Sequence, residues 1–205
     1  FRIRFNNGRF LDAKDNSGQR FPAKWHELTT GKGQSNHGGE QFALNEVVKS
    51  GKARYLGASS MFAWQFAKAQ YTADLHGWRR FVSMQNHYNL VYREEEREMI
   101  PFCIDQGIGL IPWSPLARGF LAGNRSNQGG GETVRAQTDD FAKELYYREE
   151  DFTVAERAWE VAREHNATGS QIALAWLLNK AHISAPIIGA SKLDHLDQAI
   201  AALEI

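Results

Sequence analysis

Strand-like and helix-like segments alternate along the chain from Ala43 onward. Four short apolar segments are typical of strands: ARYLGASS, FVSMQ, residues 108–112 and residues 185–188. Helical patterns separate them, and strict alternation of this kind favours parallel strands joined by right-handed helical crossovers. The sequence therefore predicts an α/β fold with about four parallel strands, in a sheet or a barrel.

The helical patterns have recognisable starts and stops. They cover ALNEVVKSG, which ends at Gly51, and residues 62–76, 94–105, 153–165, 169–179 and 193–203. Thr168 and Ser170 are both residue types that cap a helix N-terminus, so either is available to cap the helix at 169. Pro101 lies inside the pattern 94–105, where we expect a kink. The polar residues 124–151 predict a long loop, which in a compact domain is usually functional or flexible.

Residues 1–42 differ from the rest of the chain because they are rich in glycine, asparagine and charged side chains. Asn7 and Gly8 lie between short apolar runs, a pattern that predicts a β-hairpin. We therefore expect two parts: residues 1–42, which are unassigned, and residues 43–205, which carry the α/β pattern.

Charge and composition exclude several classes of function. Among 205 residues, 24 Lys and Arg balance 24 Asp and Glu without a basic stripe, so we do not expect a nucleic-acid partner. No apolar run reaches the ~18 residues of a membrane span and no secretory signal is recognised, so we expect a cytoplasmic protein without membrane contact. Cys103 is the only cysteine and is expected to be a buried apolar side chain. The histidines lack the spacing of metal ligands, so no metal site is expected.

The carboxyl ends of the predicted strands are where parallel α/β folds bind ligands. The residues there are Ser59 and Ser60, Gln85 to His87, Trp113 and Ser114, and Gly189 to Lys192. This set contains amides, hydroxyls, one flat aromatic ring, a glycine and a lysine. It has no carboxylate pair, no metal triad and no nucleophile with a base. Such an inventory suits a ligand with an aromatic ring, an amide and phosphates better than it suits acid–base work.

Four motifs carry a family resemblance: VVKSGKARYLGASS, VSMQNHYNL, IPWSPLARGFLAG and PIIGASKLDHL. In this order they resemble the aldo-keto reductase superfamily, particularly its aryl-alcohol-dehydrogenase-like bacterial and fungal members. The resemblance covers residues 43–205. It implies a TIM-type (β/α)8 barrel, of which the second half is recognised here, NADPH as the cofactor, and reduction of a small aldehyde or ketone to an alcohol.

The resemblance also implies roles for individual residues around the nicotinamide. Ser59 and Ser60 match the pair that hydrogen-bonds its carboxamide, and Gln85 completes that contact. Trp113 matches the aromatic residue on which the nicotinamide ring stacks. The alternatives are that the serines cap the next helix and that Trp113 is a core residue. His87, beside Gln85, either touches substrate or has a packing or surface role.

Two further segments match the phosphate contacts of the family. Around the pyrophosphate, the matching residues are Ser114, Pro115, Leu116, Arg118 and Gly119. Around the adenosine 2′-phosphate and adenine, they are Gly189, Ser191, Lys192, His195 and Gln198. The family often has Arg where His195 stands and Asn where Ala199 stands. NADPH is therefore favoured over NADH through Lys192 and His195.

The Asp, Tyr, Lys and His that perform the chemistry in this family are not recognised in this chain, so no catalytic residue is assigned. The neighbourhood of the family histidine reads Thr29-Thr30-Gly31, and residues 1–42 resemble no part of the family. The chain is then either an NADPH-dependent reductase or a truncated or rearranged, catalytically inactive nicotinamide-nucleotide-binding module. A phosphate-sugar enzyme on the same type of barrel is a weaker alternative, because no carboxylate base is recognised. Because four strands cannot close a barrel, we expect homodimerisation, pairing with a complementary half-barrel, or marginal stability.

Overall fold

The structure is a computed structural model that describes residues 5–6, 9–10, 37–123, 142 and 145–205. At residues 5–6, 9–10 and 37–40 it describes the backbone alone. The chain divides into two compact units, Phe1–Ser83 and Met84–Ile205. Most of the predicted loop 124–151 lies outside the described residues. None of the helices that the structure does describe is long and apolar enough to cross a membrane.

The first unit begins with the predicted hairpin. Strands β1 (Phe5–Asn6) and β2 (Arg9–Phe10) pair antiparallel, which confirms the prediction from Asn7 and Gly8. The elements that follow are α1 (His37–Lys49), β3 (Leu56–Ser59) and α2 (Ala63–His76), before strand β4 (Phe81–Gln85) runs on into the second unit. Within the first unit, the side-chain amide of Gln70 on α2 donates to Phe81 O at 2.8 Å and accepts from Phe81 N at 3.0 Å. This buried pair of hydrogen bonds attaches α2 to the start of β4.

The second unit contains the remaining elements. These are a short 3-10 turn (Glu94–Glu96), α3 (Met99–Asp105), β5 (Gly109–Leu110), a turn at Ala117–Gly119, α4 (Glu149–Glu164), α5 (Gly169–Leu178), α6 (Leu193–Ala201) and a final 3-10 turn (Ala202–Glu204). Thr168 caps α5, because its hydroxyl accepts from Gln171 N at 3.2 Å and the Gln171 side chain accepts from Thr168 N at 2.8 Å. Of the two predicted caps, Thr168 is the one used.

The described strands β3, β4 and β5 form an open parallel sheet in that order. Pairing between the segments of β4 and β5 continues past the end of β5, because Ile111 N donates to Met84 O at 3.0 Å and Trp113 N donates to Asn86 O at 2.9 Å. The α/β prediction is confirmed, and the predicted strand 108–112 is shorter as a regular strand but extends as a paired segment.

The prediction of a fourth strand at residues 185–188 is wrong. The chain runs beside β5 there, with one bridge between Leu110 and Ile183 and hydrogen bonds from Ser184 N to Leu110 O (2.8 Å) and from Ile187 N to Pro112 O (2.8 Å). Pro186 and Pro112 have no N–H to donate, so a regular ladder does not form.

Two predicted helix boundaries are also corrected. The pattern 94–105 is a 3-10 turn followed by α3, and Pro101 lies in the first turn of α3 instead of kinking a longer helix. A proline is tolerated there because the first N–H groups of a helix have no intrahelical partner. Helix α4 begins at Glu149, inside the predicted loop, and the Asp151 carboxylate accepts from Arg148 N at 3.0 Å.

The core of the second unit packs α4 and α5 against the turn after β5. Its buried members are Ala117, Phe120, Leu121, Ala142, Tyr146, Phe152, Ala155 and Ala173. Cys103 is fully buried elsewhere in this unit, as predicted, and burial raises the pKa of its thiol to about 12.

Candidate functional site

Backbone pairing places two aromatic side chains next to each other at the end of β5. His87 and Trp113 are partners in a parallel bridge beyond the regular strands. Side chains of paired residues point to the same face of a sheet. The two rings accordingly stack, with centroids 4.3 Å apart and planes 14° apart.

Tyr92 covers the other face of the His87 ring. Its centroid lies 4.1 Å from that of His87, with planes 16° apart. Two rings of this size cannot share one face of an imidazole at these distances, so His87 lies between Tyr92 and Trp113. We call these three stacked side chains the ring column. His87 is 6% exposed, whereas Trp113 remains partly exposed.

A hydrogen-bond network restrains rotation of the His87 imidazole within the plane of its ring. The Oδ1 atom of Asn89 accepts from Val91 N (3.0 Å) and Tyr92 N (2.8 Å), which identifies Nδ2 as the donor end of this amide. Nδ2 then donates to Ser114 O at 2.9 Å and to the Tyr146 hydroxyl at 3.1 Å. The Tyr146 hydroxyl lies 2.5 Å from His87 Nε2. The Tyr146 hydroxyl and His87 Nε2 therefore share one hydrogen bond, whose donor is set by the tautomer of the imidazole.

Both ionisable members of this network are neutral near pH 7. Burial lowers the pKa of His87 to about 4. Burial also raises the pKa of the Tyr146 hydroxyl to about 12, although hydrogen bonds from Asn89 and Ser114 act in the opposite direction. Both members of the pair are therefore uncharged in the physiological range.

The turn after Trp113 has an unusual backbone. Ser114, Ala117 and Arg118 have φ angles of 54°, 47° and 57°, and Gly119 has 93°. Such left-handed conformations are uncommon for residues with a side chain and collect at binding sites. Ala117 N and Gly119 N donate to Ser114 O and Leu116 O inside the turn, both at 2.9 Å, whereas Leu116 N donates to no described residue. Pro115 has no N–H.

The predicted phosphate residues near the C-terminus gather at the start of α6. Gly189, Ser191, Lys192 and His195 are exposed, and Lys192 is the N-cap residue of α6. Gln198, one turn further on, donates to Asp194 Oδ2 at 2.8 Å and accepts from the Thr168 hydroxyl at 3.4 Å. A helix N-terminus with an exposed lysine attracts anions.

The predicted carboxamide contacts fall in different units. Ser59 and Ser60 belong to the first unit, where Ser59 ends β3 and Ser60 follows it with a φ of 21°. Neither serine caps α2, whose N-cap residue is Phe62, so that alternative is wrong. Gln85 is the last residue of β4, is partly buried and belongs to the second unit.

Sequence reasoning missed three members of the site: Asn89, Tyr92 and Tyr146. Asparagine side chains often accept hydrogen bonds from the backbone N–H groups two and three residues later, in turns. The position of Asn89 shortly after a predicted strand could therefore have indicated its role. Tyr146 lies within the predicted loop 124–151, and no local pattern connects it with His87. No group of three or more His, Cys, Asp or Glu with metal-site geometry occurs among the described residues.

One family model matches most of the chain. The model of the aldo/keto reductase family matches residues 40–205. The chain belongs to the aldo/keto reductase family. Among the relatives of this chain, a Schizosaccharomyces pombe protein named as an aryl-alcohol dehydrogenase is 49% identical over 163 residues, covering 80% of this chain and 45% of that protein.

Two further relatives are fungal. Versiconal hemiacetal acetate reductase of Aspergillus parasiticus is 46% identical to this chain over 167 residues, covering 80% of this chain and 47% of the relative. An aldo-keto reductase of Fusarium vanettenii is 50% identical over 163 residues, covering 78% of this chain and 43% of the relative. The chain thus spans about half the length of the relatives it matches.

Proposed function

We propose that this chain binds NADP(H) as the cofactor-holding half of an aldo-keto reductase barrel. The reaction of the whole protein is reduction of a small aldehyde or ketone to an alcohol, for which the bound cofactor supplies the hydride. Family membership and the names of the relatives as reductases and dehydrogenases support the reaction class.

The observation that carries the proposal is the ring column. Trp113 is a large, partly exposed aromatic ring whose plane is held by a stacked, buried imidazole. A rigid aromatic face at the end of a paired segment suits stacking of a flat heterocycle such as nicotinamide.

The phosphate chemistry of the neighbouring segments supports the same ligand. The Leu116 N–H is a donor with no partner among the described residues, and it lies in a turn of left-handed residues. Backbone N–H groups in such turns bind anions. Lys192 at the start of α6 would add a positive charge for the 2′-phosphate that distinguishes NADPH from NADH.

Isothermal calorimetry with NADPH and NADH tests this function. We expect Trp113→Ala to weaken NADPH binding about tenfold and Trp113→Tyr to retain most of the affinity, because tyrosine keeps a flat ring. Lys192→Met is expected to weaken NADPH binding about tenfold and to leave NADH binding unchanged. A native chain that binds neither nucleotide contradicts the proposal.

A second function, nucleotide binding without turnover, is favoured by the geometry of Tyr146. Its hydroxyl is buried among hydrogen bonds with His87 and Asn89. Burial raises its pKa to about 12, which makes it a weak acid toward a carbonyl oxygen. The two functions differ in one assay, the decrease in NADPH absorbance when an aromatic aldehyde is added. Turnover by this chain supports the reductase, whereas binding without turnover supports the binding module.

A further inference from the structure

We propose that His87 is a positioning residue that sets the plane of the Trp113 ring for the nicotinamide half of the cofactor, with Tyr146 and Asn89 holding His87 in place. This inference rests on the proposed function and deepens it. It assigns a role to a histidine that, among the described residues, neither caps an element nor contacts a charged group.

The contacts of His87 restrict each way in which its ring could move. Tyr92 and Trp113 stack on its two faces at 4.1 and 4.3 Å, so the ring cannot tilt. The hydrogen bond between the Tyr146 hydroxyl and His87 Nε2 opposes rotation within the plane of the ring. Tyr146 is itself held by Asn89, whose side chain is fully buried. Trp113 therefore rests on a surface of defined orientation.

Packing alone does not account for an imidazole at this position. Burying a polar ring costs free energy unless its nitrogen atoms are hydrogen-bonded, and an aliphatic side chain would fill the same space without that cost. What the imidazole adds over an aliphatic side chain is a flat face with a fixed direction. The backbone bridge between His87 and Trp113 places that face directly against the indole.

This role predicts an effect limited to one half of the cofactor. A tilted indole would lose stacking with nicotinamide, whereas the adenosine 2′-phosphate would bind as before. The matched ligands are NADPH and 2′,5′-ADP, which contains the 2′-phosphate and adenine and lacks nicotinamide.

Calorimetry on the full chain with these two ligands is the first test. We expect His87→Leu to weaken NADPH binding about tenfold while 2′,5′-ADP binding changes by less than about twofold. His87→Phe keeps a flat ring and should retain most of the NADPH affinity, and Tyr146→Phe should give a smaller loss than His87→Leu. Equal losses for both ligands, or no loss for NADPH, would overturn the inference.

Near-ultraviolet circular dichroism without nucleotide is the second test. The Trp113 band is identified as the difference between the native chain and Trp113→Phe. We expect His87→Leu to weaken this band and His87→Phe to keep it, with far-ultraviolet spectra and melting curves checking that each variant is folded. An unchanged band in folded His87→Leu would overturn the inference. If the native chain binds neither nucleotide, the proposed function fails, and this spectrum still decides the positioning role.

Discussion

At the residue scale, Asn89 links several parts of the site, because both ends of its side-chain amide form hydrogen bonds. It is fully buried, its carbonyl oxygen accepts two backbone hydrogen bonds, and its amide donates to Ser114 O and to Tyr146. A buried amide is stable only when its donors and acceptors are satisfied. Asn89 therefore joins the turn after β4, the turn after β5 and the residue that holds His87.

His87 should make the stability of the chain depend on acidity. The unfolded imidazole titrates near 6.5 and burial lowers the folded pKa to about 4, so between these values only the unfolded state takes up the proton. The stabilisation is complete above pH 6.5 and is lost as the pH falls through 4. We expect the free energy of unfolding of the native chain to fall by about 3 kcal/mol more than that of His87→Phe across this window.

Urea denaturation at a series of pH values, followed by tryptophan fluorescence, measures this difference. His87→Phe also loses the hydrogen bond with Tyr146, which lowers its stability by an amount that does not vary over this pH range. The test therefore compares how steeply the free energy of unfolding changes with pH in the two proteins, and a constant difference between them is not informative. Parallel curves would show that His87 does not titrate with a lowered pKa.

At the element scale, the contact between α4 and α5 requires a glycine. A Cβ atom on Gly169 would lie 2.5 Å from Leu121 O and 2.6 Å from Trp159 Cδ1. The Trp159 ring cannot retreat easily, because its Nε1 donates to Leu121 O at 2.9 Å. Gly169, the first residue of α5, is thus packed directly against the Trp159 indole and against Leu121 O, to which that indole donates.

Gly169→Ala should destabilise the second unit by about 1–3 kcal/mol, because the added methyl group forces Trp159 or the backbone to shift. The matched control is Gly189→Ala, since a Cβ atom there meets no atom within 4 Å. We expect the control to change stability by less than about 0.5 kcal/mol. Melting temperatures measure both, and equal melting temperatures for the two variants would contradict the close packing at Gly169.

At the scale of the whole molecule, α6 and the turn after it expose an apolar stripe. Leu193, Leu196, Ile200 and Leu203 are 81%, 41%, 56% and 64% exposed. Their spacing of three and four residues places them on one helical face. Exposed apolar faces of this kind mark association surfaces.

We expect the isolated chain to associate with a second copy through this stripe. Size-exclusion chromatography with light scattering should give a dimer for the native chain and a monomer for Leu193→Glu/Ile200→Glu. Val154→Glu places the same charge on an exposed apolar position of α4 and should leave the dimer intact. A native monomer with a sharp, high melting transition would contradict the expectation.

Much of the fold follows from local patterns in the sequence. The pairing of β1 with β2 and the order of strands and helices from β3 to α5 depend on residues close together in the chain, and both are found as predicted. The same holds for the cap of α5, for which Thr168 was one of the two predicted residues. The fourth-strand prediction is wrong because the local composition does not show how the segment pairs with a distant part of the chain. Residues 185–188 have the composition of a strand, but the prolines at 112 and 186 prevent a ladder with the neighbouring segment.

The candidate site likewise contains residues that sequence motifs named and residues that only the structure revealed. The motifs in the sequence named Trp113, the turn at Ser114–Gly119 and the start of α6 because each motif is contiguous in the chain, and the binding roles of these residues stay predictions. The partners of His87 were not predictable, since the hydroxyl that holds it belongs to Tyr146, 59 residues further along the chain. Local propensity carries no information about contacts at that separation. The sequence by itself determined the order of elements from β3 to α5 and which ring ends the segment after β5, whereas only tertiary packing decided the pairing of residues 185–188 and what orients that ring.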